Sequence, residues 1–201
     1  ALGDYDHDGD LDILVAHGGA NGTSPSSYTL FENDNMTFTN VSGKAGLKTP
    51  ARGRAPRFID IDVDGDLDIA LFNARTPNYD GPQTLFLENM GNKTFKERRI
   101  AGLEDSNIEK SLVIDFDRDG KDDLLVYYPD SLGLWRNTGD FTFTDVSQTW
   151  LPTHVDTLQD VNAATDLDVN NDGLVDLYIA RGRSHYSISN NSIDFSPESQ
   201  V

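Results

Sequence analysis

Short apolar runs rich in β-branched residues recur along the chain at a nearly constant distance. They are Ile13-Leu14-Val15, Ile69-Ala70-Leu71, Leu124-Leu125-Val126 and Leu177-Tyr178-Ile179. Each follows a polar, aspartate-dense stretch and is too short for a helix, so the pattern predicts strands. A second motif comes after each run: Leu30-Phe31…Thr37-Phe38, Leu85-Phe86…Thr94-Phe95, Leu134-Trp135…Thr142-Phe143 and a worn copy, Ile188…Phe195. Its two halves are separated by Asn, Gly or Asp, which predicts a hairpin. A further run precedes the polar stretch, as in Arg57-Phe58-Ile59. One unit therefore has four strands, A to D, with an apolar stripe expected at alternate positions. No segment carries a sustained helical period, and 43–55 and 148–162 have room only for a short turn of helix.

The polar stretches share one code, D-x-[DN]-x-D-G-x-x-D. Its first positions are Asp4, Asp60, Asp115 and Asp168, so the steps are 56, 55 and 53 residues. A period of that length with four strands per unit predicts an all-β propeller of four-stranded antiparallel blades. About 3.5 to 4 blades are expected in one partial propeller, over residues 1–43, 55–101, 110–148 and 161–201. An open arc exposes strand edges, so further blades of a longer chain, or a second copy, are expected to complete the ring.

The code predicts a site for a hard cation. Oxygen donors at alternate positions suit Ca²⁺, which takes six to eight oxygens in irregular geometry. Loop positions 1, 3, 5 and 9 are Asp4, Asp6, Asp8 and Asp12, then Asp60, Asp62, Asp64 and Asp68, then Asp115, Asp117, Asp119 and Asp123, then Asp168, Asn170, Asp172 and Asp176. Position 7 is Asp10, Asp66, Lys121 or Leu174. Lys and Leu offer no side-chain oxygen, so position 7 is expected to give its backbone carbonyl. The Gly at position 6 permits the sharp turn. An EF-hand needs Glu at position 12 and flanking helices, but position 12 is Val15, Leu71, Val126 or Ile179. Up to four Ca²⁺ are expected, one per strand–loop–strand unit.

Charge follows from these loops. The 201 residues carry a net charge of −18, and much of that acidity is site chemistry. Four Ca²⁺ would bring the charge to −10, and without metal the clustered carboxylates repel one another. So acidic a chain is an unlikely match for nucleic acid. No apolar run approaches the roughly 20 residues that span a membrane, and there is no cysteine. Five N-x-[ST] sequons, at Asn21, Asn35, Asn40, Asn92 and Asn190, are glycosylation candidates if the protein is secreted. An extracellular or cell-surface place also suits weak Ca²⁺ loops, because calcium is abundant there.

The loop followed by the hairpin resembles the FG-GAP/VCBS repeat of integrin α-subunit-like propellers. Gly3-Asp4-Tyr5-Asp6 and Thr142-Phe143-Thr144-Asp145-Val146 are similar to variants in cartilage-acidic-protein-like and UnbV-like proteins. The resemblance implies the propeller fold and bound Ca²⁺, and it leaves function open. The chain departs from the pattern at Asp122, where the other loops have Leu11, Leu67 and Val175, and at Asn170.

In such a blade the A–B loops lie on one face, and the B–C and D–A loops on the other. The first two repeats have 21 residues from position 9 to the motif Asn, and the last two have 14. Long B–C connections therefore mark blades 1 and 2. With the basic residues Lys44, Lys48, Arg52, Arg54 and Arg57, and with Arg75 and Tyr79, they make a candidate ligand face for a glycan or an acidic protein. The main expectation is a calcium-stabilised binding or adhesion module. The alternatives are a carbohydrate-active enzyme of lyase or dehydratase type and a structural subunit of a surface assembly. An enzyme needs a grouped acid and base, yet His17, His154, Arg181, Arg183, His185 and Tyr186 show no grouping spacing.

Overall fold

Strands form where the apolar runs predict them. The computed structural model describes residues 1–17, 28–49, 53–73, 84–104, 106–129, 131–152, 161–181, 184–189 and 192–197. The first sheet contains β1 (Leu2–Gly3), β2 (Asp12–Val15), β3 (Thr29–Asp34) and β4 (Thr37–Asn40). The second contains β5 (Gly53–Ile59), β6 (Asp68–Asn73), β7 (Thr84–Asn89) and β8 (Phe95–Arg98). The third contains β9 (Lys110–Ile114), β10 (Asp123–Tyr127), β11 (Leu132–Gly139) and β12 (Thr142–Asp145). All three are antiparallel meanders in chain order. Two single turns of helix, α1 (Ser42–Ala45) and α2 (Ser147–Trp150), follow the first and third sheets. The architecture is all-β, with blade-like sheets of a partial propeller.

The apolar stripe at alternate positions needs correction. Every residue of β6 is buried. Ile69 and Leu71 face blade 1, against Tyr5, Leu14 and Leu30. Ala70 and Phe72 face blade 3, against Leu124, Val126 and Trp135. A strand sandwiched on both faces reads as a continuous apolar run, since neither side meets water. The same holds for β10, whose Leu125 and Tyr127 turn toward Leu177 and Ile179 of the fourth unit. Each Ile, Leu or Phe buried between the sheets contributes about 1.5–3 kcal/mol.

The fourth unit differs. Strands β13 (Val161–Leu167) and β14 (Asp176–Arg181) pair, as do β15 (Ser184–Ser189) and β16 (Ser192–Pro197), but the two hairpins form separate sheets. Strand β15 reads Ser-His-Tyr-Ser-Ile-Ser. It lacks the Leu-Phe or Leu-Trp pair with which β3, β7 and β11 fill the space beside the central strand.

Candidate metal centre

Each A–B connection curls around its own first aspartate. Asp4 Oδ1 accepts the Asp8 N–H at 3.2 Å, and Asp4 Oδ2 accepts the Gly9 N–H at 3.1 Å. The same pair recurs on Asp60 (3.2 and 3.1 Å), Asp115 (3.1 and 3.0 Å) and Asp168 (3.1 and 2.8 Å). The position-5 carboxylates of Asp8, Asp64, Asp119 and Asp172 then accept the position-7 N–H. Turning so tightly drives two backbone positions left-handed in every copy. Position 6 is Gly at φ 78–97°, and a Cβ there would meet little, so the demand is on φ rather than on space. Position 4 is not glycine: His7, Val63, Arg118 and Asn171 all sit at φ 58–67°. Nothing in the aspartate code announces this.

A left-handed β-branched residue is strained by about 1–2 kcal/mol, whereas Asn tolerates the region. Replacing the half-exposed Val63 by Asn, the residue type found at 171, is therefore expected to stabilise the protein by about 1 kcal/mol in a urea melt. No gain would show that position 4 is not strained.

The position-9 aspartates do a different job. Asp12, Asp68 and Asp123 are buried. Asp68 Oδ2 accepts the Ile61 N–H at 3.0 Å, and its Oδ1 accepts the Asn89 N–H at 2.7 Å. Asp12 joins Tyr5 to Asn33 in the same way (3.1 and 2.8 Å), and Asp123 joins Phe116 to Asn137 (3.3 and 2.7 Å). Each thus ties its loop to strand C of its own blade. Burial pushes the carboxyl of Asp68 up to about 7 and that of Asp123 up to about 6, against the pull of these N–H bonds.

The motif asparagines carry the tie onward. Asn89 Nδ2 donates to the Leu67 carbonyl at 3.2 Å and to Tyr5 O of blade 1 at 2.8 Å. Asn137 Nδ2 reaches the Asp122 carbonyl at 3.1 Å and Asp60 O of blade 2 at 3.4 Å. Asp122, the residue that broke the sequence pattern, accepts the Asp60 N–H at 3.2 Å. Loop 2 is thereby fastened to blade 3 from both sides.

Carboxylate oxygens converge in three of the four loops. One oxygen each from Asp4, Asp6 and Asp8, from Asp60, Asp62 and Asp68, and from Asp115, Asp117 and Asp123 lies within 4.8 Å of the others. Asp6 Oδ1 and Asp62 Oδ1 are buried and accept no hydrogen bond. Buried acceptors are rarely left so, and an all-oxygen cluster with spare lone pairs fits Ca²⁺. In the fourth loop Asn170 spends its amide on Asp172, at 2.9 and 2.8 Å, and no such trio forms among the described residues. Position-7 side chains point elsewhere: Asp10 accepts the Asn35 N–H, Asp66 meets His7, Lys121 pairs with Asp119, and Leu174 is exposed.

A family model for the FG-GAP-like repeat matches residues 4–71 and 115–179. The chain belongs to the FG-GAP-like repeat family. No curated protein matches it. FG-GAP-like repeats build propeller-like binding and adhesion modules in general, and all four aspartate loops fall within the two matched stretches. No helix among the described residues is long and apolar enough to cross a membrane.

The candidate ligand face of this FG-GAP-like chain is partly redistributed. Arg57 lies on β5, not in a loop. Its guanidinium donates to the Ser111 carbonyl, through Nε at 3.1 Å and through Nη2, and to Pro56 O at 2.9 Å. These bonds to Ser111 of β9 make it a tie between blades 2 and 3. Arg54 is also on β5, at its start, and Lys44 is in α1; both are exposed, as is Lys48, and Arg54 comes within 3.9 Å of Glu109. Arg52, Arg75 and Tyr79 lie outside the described residues, as do Asn21, Asn190, His154 and Arg183. Of the other sequons, Asn40 Oδ1 accepts from the N–H and hydroxyl of Ser42 at the start of α1, and Asn92 Oδ1 accepts likewise from Thr94. Asn35 sits in the β3–β4 turn at φ 49°. His17 meets the Thr29 hydroxyl at 2.8 Å.

Proposed function

We propose that this chain is a calcium-stabilised extracellular binding module. Ca²⁺ pins the A–B loop face, and a protein or glycan ligand is taken by the B–C and D–A loops opposite. The observation that carries the metal half is the pair of buried, unbonded oxygens on Asp6 and Asp62 amid converging carboxylates. Asp4, Asp6, Asp8 and Asp12 would hold one ion, and Asp60, Asp62, Asp64 and Asp68 another, with the carbonyls of Asp10 and Asp66. The ion supplies charge neutralisation and fixes the loop. The chain's own groups fix strand C and the neighbouring blade.

The family supports the binding half, since its repeats are typically extracellular. Rigid sheets with longer first and second B–C connections give a scaffold with variable loops. Exposed Lys44, Lys48 and Arg54 in a chain of −18 favour an acidic glycan or acidic protein surface. Glycosylation at exposed Asn35, Asn40 and Asn92 agrees with the same compartment.

Two measurements test the two halves. Calorimetry with Ca²⁺ is expected to show binding that Asp62→Asn weakens; a flat titration would end the metal reading. An array of acidic glycans and of acidic proteins, probed in Ca²⁺, is expected to lose signal when Lys44, Lys48 and Arg54 are all changed to Glu. Full retention would exclude the basic loop as the ligand face.

A further inference from the structure

Aligning the blades on the motif asparagine brings one more position into view. The residue just before Asn33, Asn89 and Asn137 is Glu32, Glu88 and Arg136 in turn. All three stand on strand C. The neighbouring Asn N–H is bonded to the position-9 carboxylate of the same blade, at 2.8, 2.7 and 2.7 Å. This position is therefore held beside the loop in each of these three blades.

In blades 1 and 2 it adds a carboxylate. Glu32 accepts the Tyr5 hydroxyl at 2.9 Å, and Lys93 lies between Glu32 (3.2 Å) and Asp6 (2.6 Å). Lys93 belongs to the β7–β8 turn of the next blade and is half exposed, so it has water to retract into. Glu88 lines one cleft with Asp62 and is held by Arg98 through two bonds of 2.8 Å. No cation forms an ion pair with Asp60, Asp62, Asp64 or Asp68 among the described residues.

Blade 3 reverses the sign. Arg136 Nε lies 2.6 Å from Asp117 Oδ2, and its Nη2 lies 3.1 Å from Asp119 Oδ2. Lys121 Nζ is 2.6 Å from that same Asp119 oxygen. Positions 3 and 5 of the loop are both engaged by cations of the same blade, one of them the planar guanidinium that spans two carboxylates.

We infer that the residue before the hairpin asparagine decides which loops take a metal, and that blade 3 carries Arg136 as its own cation in place of one. This rests on the calcium reading of loops 1 and 2. It makes the loops unequal: loop 2 binds most tightly, loop 1 must displace Lys93, and loop 3 stays closed by its guanidinium. Loop 3 then holds its shape at calcium concentrations that empty its neighbours.

The two tryptophans of the chain are Trp135 on β11 and Trp150 at the end of α2, and Trp150 packs edge-on at 5.0 Å against Phe116 of loop 3. Terbium bound in loop 3 is therefore reported by emission sensitised by Trp150, read in a Trp135→Phe background because Trp135 also packs against blade 2. The full chain is titrated with Tb³⁺ by luminescence and with Ca²⁺ by calorimetry. The wild type is expected to bind Ca²⁺ without tryptophan-sensitised emission at concentrations that fill loops 1 and 2. Arg136→Glu is expected to gain that emission and one further Ca²⁺, with affinity at loop 3 raised at least about tenfold, and adding Asp117→Ala should remove the gain. Arg136→Gln, close in shape, guards against misfolding; it is expected to melt lower than wild type in EDTA and to recover in Ca²⁺. Strong tryptophan-sensitised binding by the wild type, or unchanged stoichiometry in both variants while other loops bind, overturns the inference. A wild type that binds no Ca²⁺ at all overturns the calcium reading and this inference with it.

Discussion

Replacing Asp68 by alanine is expected to destabilise the protein by about 3–5 kcal/mol, in EDTA as well as in calcium. The reason lies in what the carboxylate holds. Its two oxygens accept the N–H groups of Ile61 and Asn89, at 3.0 and 2.7 Å, in a site closed to water. Alanine leaves both donors buried and unpaired, at about 1–3 kcal/mol each, and opens a small void besides. Asparagine repairs only one of the two, since its NH₂ would confront a donor. Asp68→Asn should therefore fall between wild type and alanine. Asp64→Asn is the contrasting variant. Asp64 is exposed and, among the described residues, accepts the Asp66 N–H alone, which an amide oxygen replaces, so its loss should appear in calcium and vanish in EDTA. Urea melts of the three variants under both conditions separate the roles. A cost under about 1 kcal/mol for Asp68→Ala in EDTA would show that position 9 serves only the metal.

This division of labour explains which parts of the site were legible in the chain. The repeat, the strands and the aspartate spacing were readable because each is periodic and local. The four strands per unit follow from the apolar runs, and the turns from Asn, Gly and Asp. Burial on both faces of β6 was not readable as such, because alternate and continuous apolar runs differ little over four residues. It became visible only when Ile69 and Phe72 were found packed against different blades. The ties made by Asn89 to Tyr5 and by Asn137 to Asp60 join residues 84 and 77 apart. Spacing within one repeat says nothing of them, although the recurrence of that Asn marked the position. The same is true of Arg57, whose charge suggested a ligand surface while its neighbours in space made it a tie to Ser111. Glu32, Glu88 and Arg136 are hidden for the opposite reason: they differ between repeats, and a shared code carries only what recurs.

Calcium itself is expected to have the second large effect, and its size should depend on pH in a way that identifies the cause. At free Ca²⁺ about 100-fold above Kd, each filled site adds about 2.7 kcal/mol of stability. Two filled loops then raise the melting temperature by roughly 10–20 °C for a chain of this size. In EDTA the balance runs the other way with pH. Burial holds Asp68 at about 7 and Asp123 at about 6 in the folded chain, above the roughly 3.9 of an unfolded Asp. The folded state keeps these protons longer than the unfolded state does. Metal-free stability is therefore highest at the acid end of this window and falls as pH rises from about 4 to about 8, by which both carboxyls have ionised. In loop 2 the ion must displace the Asp68 proton, so binding weakens as pH falls through the same window. Melting temperature against pH from 5 to 8 should thus slope down in EDTA and up in calcium, and the two curves should draw apart toward pH 8. Parallel curves would mean that the ion, if bound, does not sit among the buried aspartates that join loop to blade.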